Sequence, residues 1–417
     1  MNREDRVTEF LQVITSDGLV ERLASFPRLP PEVVSLRSAL HRIPPEGITS
    51  PEDLPERPRS TVDGYAVQAE DTFGASDSIP ALLNVVGAVA MGSLPDLLVG
   101  SGQAAYIPTG GFLPSGTDAV VMVEYTNRID ETGIEVMRPV TVRSNVLSQG
   151  EDVKSGELII PAGEPLRPQD LGVLAGLGVA TVCVYRQAKV AVISTGDEVV
   201  PIGCKPKPGQ IRDANGYSIS ALVRAAGAIP IQFEIVPDDA GRLHSTLADA
   251  LRESDVVAIS GGSSVGMRDL IVDVVEAFPG AEVLAHGVAI RPGKPTLLAR
   301  HAGKAIFGLP GHPVSALIVA MVFLAPFLRY IQGGNLEKGP LGSRTQATLA
   351  TSLHSIIGME DFVRVQLEPA ADGGYVARPV FGKSSMLSTM ARANGIIIVP
   401  ARAEGLVQGA AVEVIGI

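Results

Sequence analysis

The stretch from Lys189 to Tyr330 decides the fold, and it contains the runs KVAVISTGDEVV (189–200), IPIQFEIVPDD (229–239), DVVAISGGSSVG (255–266), EVLAHGVAIRPGKP (282–295) and AIFGLPGHPVSA (305–316). Each run is short, apolar and β-rich, ends in Gly, Pro or acidic residues, and is followed by a helical pattern. This alternation predicts a central, doubly wound, mostly parallel α/β domain over residues 188–332. Ligands of such sheets bind at the carboxyl ends of the strands, so we expect the chemistry there.

The rest of the 417-residue chain divides into three further regions. Residues 53–145 contain short β-rich runs separated by turn residues, which predict a small mostly-β domain. This domain is expected to be inserted into an extended linker domain formed by residues 1–52 and 146–187. A Gly-rich hinge precedes strand-like runs in residues 333–417, which predict a C-terminal β-barrel domain. The expected fold class is therefore multidomain α/β plus β.

Several local elements follow from periodicity and turn residues. Apolar residues at helical spacing predict a helix through Val7, Phe10, Leu11 and Ile14. Further expected elements are a helix over 32–41, an exposed loop over 60–67 (STVDGYAV), an acidic turn at 150–153, a strand at 158–160, and helices over 168–177, over 217–226 and from near residue 269.

The composition excludes several classes of partner. A net charge of −11 and the absence of a Lys/Arg block argue against nucleic acid or an anionic membrane as the main ligand. The longest apolar run, 314–328, is shorter than the ~20 residues of a membrane span and contains Pro326. Cys183 and Cys204 form neither a metal-spaced pair nor a disulfide framework. We expect a cytoplasmic protein that does not span a membrane.

The glycine-rich run ISGGSSVG (259–266) follows an apolar strand and precedes a helix. Glycines let the backbone N–H groups form a concave surface, and the helix N-terminus adds partial positive charge. The run is therefore equally compatible with a phosphate-binding loop and with a plain connection. No Lys-Ser/Thr pair follows it, so it is not a Walker loop.

Acidic residues follow three of the predicted strands. They are Asp197 and Glu198, then Asp238 and Asp239, and finally Asp269. Any one of them alone is most simply a helix N-cap. Several carboxylates at one sheet edge repel one another, however, and together they indicate a cation such as Mg²⁺ bound with a phosphate.

Cationic and polar groups lie further along the domain. Arg291 and Lys294 flank a proline-stiffened loop, which favours anion binding over a merely solvated surface. Ser315 lies in the first turn of a helix whose N-terminus could hold an oxyanion. His312 is given no acid/base role. Asp213 and Asn215 are most simply helix caps.

Asp63 precedes Gly64 in the inserted domain and has two open interpretations. It is either an ordinary turn former or a functional carboxylate. Nothing within its own domain decides between them.

Nine sequence blocks, in order and over nearly the whole chain, resemble those of the molybdopterin molybdotransferases, the MoeA and gephyrin E-domain family. The blocks are TVDGYAV (61–67), IPTGG (107–111), QGEDV (149–153), STGDEVV (194–200), GQIRDANGY (209–217), SGGSSVGMRD (260–269), IRPGKP (290–295), GLPGHPVSA (308–316) and SSMLSTMARANG (384–395).

The resemblance implies an L-shaped homodimer of four-domain subunits. The active cleft would lie between the α/β domain of one subunit and the inserted domain of the other. The implied reaction inserts molybdate into the dithiolene of adenylated molybdopterin, hydrolyses the adenylate, releases AMP and requires Mg²⁺. A molybdopterin adenylyltransferase is the implied upstream partner.

The resemblance also implies roles for individual residues. Catalytic positions would be Asp63, Thr109, Glu198, Asp238 and Asp269, of which Glu198, Asp238 and Asp269 would hold the metal. Substrate-binding positions would be Asp152, Gly261, Gly262, Ser263, Ser264, Gly266, Arg291, Lys294, Pro310, Gly311, Pro313, Ser315, Arg364, and Ser384 or Ser385.

Two positions depart from the family pattern. Arg291 replaces the first lysine of the usual Lys-Pro-Gly-Lys loop, and His312 replaces the usual asparagine of the Gly-Asn-Pro turn. Arginine and lysine are not equivalent toward a tetrahedral oxyanion, so tungstate competes with molybdate as the expected metal.

Two other functions share parts of this pattern. A molybdopterin adenylyltransferase uses a related α/β domain, but four domains fit the insertase better. A non-catalytic peptide-binding scaffold of the same fold has no reason to keep clustered carboxylates, which cost stability when unpaired.

Overall fold

The computed structural model describes residues 13–261, 265–370 and 373–417, and the side chains of residues 265–269 lie outside that description. The helix predicted through Val7, Phe10 and Leu11 falls on residues outside the described range. Ile14, its last apolar position, lies in extended backbone bridged to Val288.

The first described helix, α1 (Ser16–Ala24), starts after Thr15, whose hydroxyl accepts a hydrogen bond from the Gly18 nitrogen at 3.0 Å. Three short strands follow, namely β1 (Pro31–Ser35), β2 (Ile48–Thr49) and β3 (Arg59–Ser60). The helix predicted over 32–41 is therefore wrong, apart from one 3-10 turn at Leu36–Ser38. β-Branched Val33 and Val34 lie in β1, which pairs with a strand about 150 residues further along the chain.

The next six strands form one sheet in the order β7-β4-β6-β5-β9-β8. They are β4 (Gly64–Val67), β5 (Ala81–Ala88), β6 (Gln103–Ile107), β7 (Ala119–Met122), β8 (Thr126–Arg128) and β9 (Gly133–Val136). The loop expected over 60–67 thus ends at Asp63, and Gly64–Val67 is an inner strand. Gly64 fits there because a Cβ atom would collide with the Val121 carbonyl.

The chain then returns to the first three strands. Strands β10 (Val146–Leu147), β11 (Leu158–Ile160) and β12 (Thr181–Tyr185) pair antiparallel with β3, β2 and β1, respectively. Helix α2 (Pro168–Gly176) has proline at its start, as expected. The six-stranded sheet is thus inserted into an extended linker unit. The boundaries proposed for the four domains stay a prediction.

The central sheet has the order β16-β13-β17-β21-β20-β18, and its first four strands are parallel. Its strands are β13 (Lys189–Ser194), β16 (Ile229–Gln232), β17 (Val256–Ser260), β18 (Glu282–His286), β20 (Leu297–His301) and β21 (Lys304–Leu309). Two short strands, β14 (Val199–Val200) and β15 (Ile211–Arg212), pair with each other outside this sheet. Strand β19 (Ile290–Arg291) follows β18 and is not part of the central sheet.

Helices cover both faces of this sheet. They are α3 (Asn215–Ala225), α4 (Ala240–Glu253), α5 (Val265–Glu276), α6 (Pro313–Val319) and α7 (Ala325–Ile331), the last two joined by a π-helical segment (Ala320–Leu324). Alternate residues of β13 enter opposite cores: Val190 and Val192 pack with α1, α3 and α7, whereas Ala191 and Ile193 pack with α4 and α5. The doubly wound prediction is confirmed.

One described helix, 313–331, is long and apolar enough to cross a membrane. Its most apolar window is 78% buried within the protein, so it is a core helix. Pro326 lies within this helix, in the first turn of α7 directly after the π-helical segment.

The last region is a closed barrel, as predicted. Its elements are β22 (Arg344–Leu349), β23 (Leu353–His354), β24 (Glu360–Pro369), β25 (Tyr375–Pro379), α8 (Ser388–Arg392), β26 (Gly395–Val399), β27 (Gly405–Leu406) and β28 (Ala411–Gly416). Strand β24 pairs with both β25 and β26, which closes the ring. Strand β19 of the α/β unit pairs with the start of β24.

Candidate functional site

The carboxyl ends of β13 and β17 meet where the strand order of the central sheet reverses, which is the expected ligand position. The Thr195 nitrogen donates to the Ser260 carbonyl at 2.8 Å. Gly261 follows, and a Cβ there would collide with the Thr195 hydroxyl. The hydroxyls of Thr195 and Ser260 are buried and without a hydrogen-bond partner in the described part of the chain. Two hydroxyls without a described partner therefore lie buried at this point of the sheet edge.

The predicted phosphate-binding loop continues from this crevice. Gly262, Ser263 and Ser264 lie outside the described residues, so its conformation stays a prediction. Helix α5 begins at Val265, four residues before the position expected from the sequence, and contains Gly266 in its first turn.

A cavity of about 580 Å³ opens beside the ends of β13 and β16. Its lining combines acidic and apolar side chains: Asp197, Asp213 and Glu234 with Val199, Pro201, Ile202, Tyr217, Phe233, Ile235 and Pro237. Gly196 and Gln232 complete the wall. Apolar walls with a few carboxylates suit a partly aromatic organic ligand that carries polar substituents.

Three of the predicted carboxylates are close to one another at this edge. The Asp238 nitrogen donates to Asp197 Oδ1 at 3.1 Å. Burial raises the pKa of Asp238, and the negative charges of Asp197 and Glu198 raise it further. One carboxylate oxygen of Asp238 is buried with no partner in the described part of the chain. A cation would relieve this repulsion.

Two of the three predicted Mg²⁺ ligands, Glu198 and Asp238, have described side chains. Among the described residues, no three His, Cys, Asp or Glu side chains are arranged to hold a metal ion. Asp269, the third proposed ligand, lies in α5, but its side chain is outside the description. The orphaned oxygen of Asp238 and the hard oxygen donors fit Mg²⁺ chemically. The ligand set of Glu198, Asp238 and Asp269 stays a prediction.

Asp63 and Thr109, two of the catalytic positions implied by the resemblance, are in direct contact. Asp63 Oδ1 accepts hydrogen bonds from the Thr109 nitrogen at 2.7 Å and from the Thr109 hydroxyl at 2.9 Å. The contact forms because β4 and β6 are antiparallel neighbours. The two hydrogen bonds lower the pKa of Asp63, the backbone one most. The result is an exposed, ionised carboxylate of fixed orientation.

Asp152 lies in the acidic turn that closes the linker unit, as expected. Its nitrogen donates to the Leu54 carbonyl at 3.1 Å, and its side chain is exposed. In the described part of the chain, no contact joins it to Asp63 or to the carboxylates of the central sheet.

A second cavity, of about 410 Å³, lies at the seam between the α/β unit and the barrel. Arg291, Pro292 and Val314 line one side, and the barrel lines the other with Leu353, His354, Asp361, Phe362, Val363, Arg364, Val380, Phe381, Gly382 and Ser384. Three predicted positions, Arg291, Arg364 and Ser384, therefore face one cavity. Two guanidinium groups and a hydroxyl suit a small oxyanion.

The two arginines are held differently. Arg291 Nη2 forms an ion pair with Asp361 and donates to the His354 carbonyl at 3.1 Å. Arg364 donates to the Thr389 hydroxyl at 2.7 Å and to the Gly382 carbonyl at 3.0 Å. Burial lowers the pKa of Arg364, and the described part of the chain supplies it with no carboxylate. An anionic ligand would supply the missing charge.

The remaining predicted anion-binding residues lie around this cavity without lining it. Lys294 is exposed in the loop after Arg291, whereas Ser315 is buried in the first turn of α6. The Val314 nitrogen at that helix start already donates to the Ser384 carbonyl at 3.1 Å. The turn before the helix contains Pro310 and Gly311, and Pro313 is the first residue of α6. Ser385 is exposed next to Ser384.

Two expected helix caps differ from each other. Asp213 is a cap, because its Oδ1 accepts from the Gly216 nitrogen at 2.8 Å as well as from the Ser194 hydroxyl at 2.9 Å. Asn215 is not a cap. It is the first residue of α3, and its side chain donates to the Gly311 carbonyl at 3.0 Å, which ties the helix to the Gly-His-Pro turn.

Sequence reasoning missed two polar groups at these two sites, Thr195 and Asp361, whereas Ser260 lies in the predicted phosphate-binding run 259–266. Thr195 could have been found, because it is a hydroxyl residue directly before the glycine that follows a strand. Asp361 was signalled only by being an acid at the start of the strand-like run DFVRVQL (361–367), three residues before Arg364. That pattern does not reveal its partner, which is supplied by another unit.

Three family models match successive parts of the chain. The MoeA N-terminal region (domain I and II) matches residues 7–178, a probable molybdopterin binding domain matches residues 191–330, and the MoeA C-terminal region (domain IV) matches residues 346–417. Together they cover nearly the whole sequence.

Relatives and solved structures agree with these matches. A molybdopterin molybdenumtransferase of Bacillus subtilis is 32% identical over 407 residues, 96% of this chain and 94% of the relative. A Staphylococcus aureus molybdopterin molybdenumtransferase is 32% identical over 397 residues, 95% and 93% of the two chains. The crystal structure of a Pyrococcus horikoshii molybdopterin biosynthesis MoeA protein superposes with a TM-score of 0.83 at 37% identity, covering 97% of this chain and 99% of that one. The chain therefore belongs to the MoeA family of molybdopterin molybdenumtransferases, the transferases of molybdenum cofactor biosynthesis.

Proposed function

We propose that this protein inserts molybdate or tungstate into adenylated molybdopterin, with Mg²⁺-dependent hydrolysis of the adenylate and release of AMP. The observation that carries the proposal is the convergence of Arg291, Arg364 and Ser384 on the seam cavity. An enzyme that only adenylates a pterin has no need for a small anion pocket built from a separate barrel. An enzyme that receives an oxyanion does.

The cavity supports oxyanion binding through its unbalanced charge. Arg364 is partly buried and has only a hydroxyl and a carbonyl as described partners. A tetrahedral oxyanion could accept from both arginines and from the Ser384 hydroxyl, because guanidinium groups present planar pairs of N–H donors. The binding energy would be largest for a ligand that is desolvated between the two walls.

The acidic cavity of about 580 Å³ would hold the organic part of the substrate. Its apolar side chains suit the pterin ring system, and the crevice at Thr195 and Gly261 lies at the adjoining strand ends. Glu198, Asp238 and Asp269 would hold Mg²⁺, and the bound ion would neutralise charge on the phosphates of adenylated molybdopterin.

We further propose that the protein acts as a homodimer whose cleft combines two subunits. Asp63 and Thr109 form an exposed, oriented polar pair on the inserted sheet. Within the described chain, the pair has no contact with the carboxylates of the central sheet. A functional role for Asp63 is therefore most simply served across a subunit boundary, where its ionised carboxylate would face the substrate of the partner.

The test of the oxyanion pocket is Arg364→Ala, assayed for AMP release from adenylated molybdopterin under anaerobic conditions. The molybdate concentration for half-maximal release should rise at least roughly tenfold, since a charged hydrogen bond is lost. Affinity for adenylated molybdopterin should stay the same. Arg378→Ala, on the same barrel but in an exposed pair with Glu368, is the matched control. An unchanged molybdate dependence in Arg364→Ala would exclude this pocket.

A further inference from the structure

Arg291 and Asp361 form an ion pair that crosses from the α/β unit to the barrel. The pair is placed by the backbone, because β19 and β24 are parallel neighbours in which Arg291 is the register partner of Asp361. The adjacent Glu360 nitrogen donates to the Ala289 carbonyl at 2.9 Å. The two side chains are therefore brought together by main-chain pairing rather than by chance contact of flexible groups.

The carboxylate of Asp361 is much more buried than a surface ion pair requires. Its side chain is 3% exposed, whereas that of Arg291 is 43% exposed. One oxygen binds Arg291, and the other is buried without a partner in the described part of the chain. A buried carboxylate with only one strong partner is costly, so its position is explained best by what it does to that partner.

Arg291 uses one nitrogen, Nη2, for its contacts with the barrel. Nη2 serves both Asp361 and the His354 carbonyl. In the described part of the chain, Nε and Nη1 have no hydrogen-bond partner, and the residue lines the seam cavity opposite Arg364. Arginine can bind on two sides at once because its five N–H donors form a rigid planar fork.

We propose that Asp361 is a positioning residue that fixes the guanidinium of Arg291, so that its Nε and Nη1 side faces the oxyanion in the seam cavity. This inference rests on the proposed function, because it requires the oxyanion to bind there. It also explains why the first cation of this loop is arginine in this chain. A lysine has a single ammonium group and would divide it between Asp361 and the ligand.

A second ion-pair group braces the same seam. Lys338 donates to Asp17 at 2.6 Å and to Glu360 at 3.1 Å. Burial lowers the pKa of Lys338, but the hydrogen bonds to Asp17 and Glu360 outweigh this and raise it overall. The start of β24 is thus held both to α1 and to the loop of Arg291. The cavity walls are held at two adjacent residues, Glu360 and Asp361.

The experiment compares Asp361→Asn with the wild-type protein in steady-state AMP release. The KM for molybdate should rise about tenfold, because an unfixed Arg291 loses the geometry of a charged hydrogen bond. The KM for adenylated molybdopterin and the kcat at saturating molybdate should change little. Asp361→Glu should recover part of the affinity. Glu413→Gln, which breaks the exposed Arg344 pair of the same barrel, should leave all constants unchanged.

A second substitution keeps the test decisive if Asp361→Asn fails to fold. Arg291→Lys retains the charge, and it should also raise the KM for molybdate about tenfold at unchanged kcat. An unchanged KM for molybdate in either folded variant overturns the inference. A fall in kcat alone, with an unchanged KM, overturns it as well.

Failure of the proposed function gives a different result. It would be seen as wild-type protein that releases no AMP with either oxyanion. The positioning role is then decided by equilibrium titration of wild-type and Asp361→Asn proteins with molybdate alone. Weaker binding by the variant supports the role, whereas equal binding, or no binding to the wild type, contradicts it.

Discussion

The carboxylate of Asp63 is fixed by Thr109, which donates to one oxygen from its backbone nitrogen at 2.7 Å and from its hydroxyl at 2.9 Å. The two residues are 46 positions apart and meet because β4 and β6 are neighbours. Both donors bind the same oxygen, and the Asp63 residue is exposed. This is an arrangement that orients a carboxylate toward something outside its own sheet.

The Thr109 hydrogen bonds predict a change in the titration of Asp63. Thr109→Val keeps the backbone donor and removes the hydroxyl, so the pKa of Asp63 should rise toward its ordinary value of 3.8. Because the native pKa is depressed, ionised Asp63 stabilises the fold above pH 3.8, and this contribution is lost as the pH falls through the native pKa. Carboxyl-carbon NMR titration measures the shift. An unchanged pKa would show that the hydroxyl contributes nothing.

Subunit mixing tests the shared cleft. Asp63→Ala and Glu198→Gln should each lower AMP release by roughly 100-fold, because each removes a group proposed to position the reacting substrate. Both variants should stay folded, because both side chains are exposed. Mixed dimers of the two variants contain one intact cleft and should regain part of the activity. Mixed dimers that stay inactive, formed from folded variants, would rule out a cleft made from two subunits.

The raised pKa of Asp238 leads us to expect that Mg²⁺ binding stabilises the fold. Its pKa is raised by burial and by Asp197 and Glu198, so its ionised form weakens the fold, and the loss grows as the pH rises from 3.8 through the native pKa. At neutral pH, Asp238→Asn should therefore melt slightly higher than wild type without metal. It should also gain less in Tm from added Mg²⁺ and lose activity.

The matched control for Asp238→Asn is Asp239→Asn. Asp239 caps α4 through a 2.7 Å hydrogen bond from the Arg242 nitrogen, a role that asparagine fills equally well. This variant should keep the wild-type response to Mg²⁺. Equal Mg²⁺ responses in all three proteins would exclude Asp238 from a metal site.

Gly261 predicts a steric requirement at the crevice. Gly261→Ala would place Cβ against the hydroxyl and carbonyl of Thr195, so the variant should lose about 1–3 kcal/mol of stability. Gly172→Ala, in the open face of α2, should be neutral or stabilising by up to about 1 kcal/mol. Urea unfolding of both variants checks the difference. Equal stabilities would contradict the close approach.

The sequence predicts what depends on local pattern. Alternating residues of β13, such as Val192 and Ile193, enter opposite cores, so the doubly wound sheet could be predicted from apolar runs. The strand in segment 32–41 could not be predicted in this way, because β1 is defined by its pairing with the distant strand β12. Gly64–Val67 was likewise assigned to a loop because its sheet partners are remote.

The site was predictable to a similar extent. Strand-end acids such as Asp238 were found from the residues themselves. Roles for Asp63 and Thr109 were expected only from family resemblance, and their hydrogen bonds were not predicted, since nothing near Asp63 in sequence reveals them. Asp361 was missed because its role depends on β19 meeting the barrel, a contact between units that no local spacing encodes.

The central claim is oxyanion-driven release of AMP from an adenylated pterin. The most direct measurement is AMP production by the purified protein with adenylated molybdopterin and Mg²⁺, without oxygen, as molybdate or tungstate is titrated. The account predicts AMP release that depends on the oxyanion and equals the amount of metal cofactor formed. A folded protein that releases no AMP with either oxyanion, or releases it equally without one, would contradict the account.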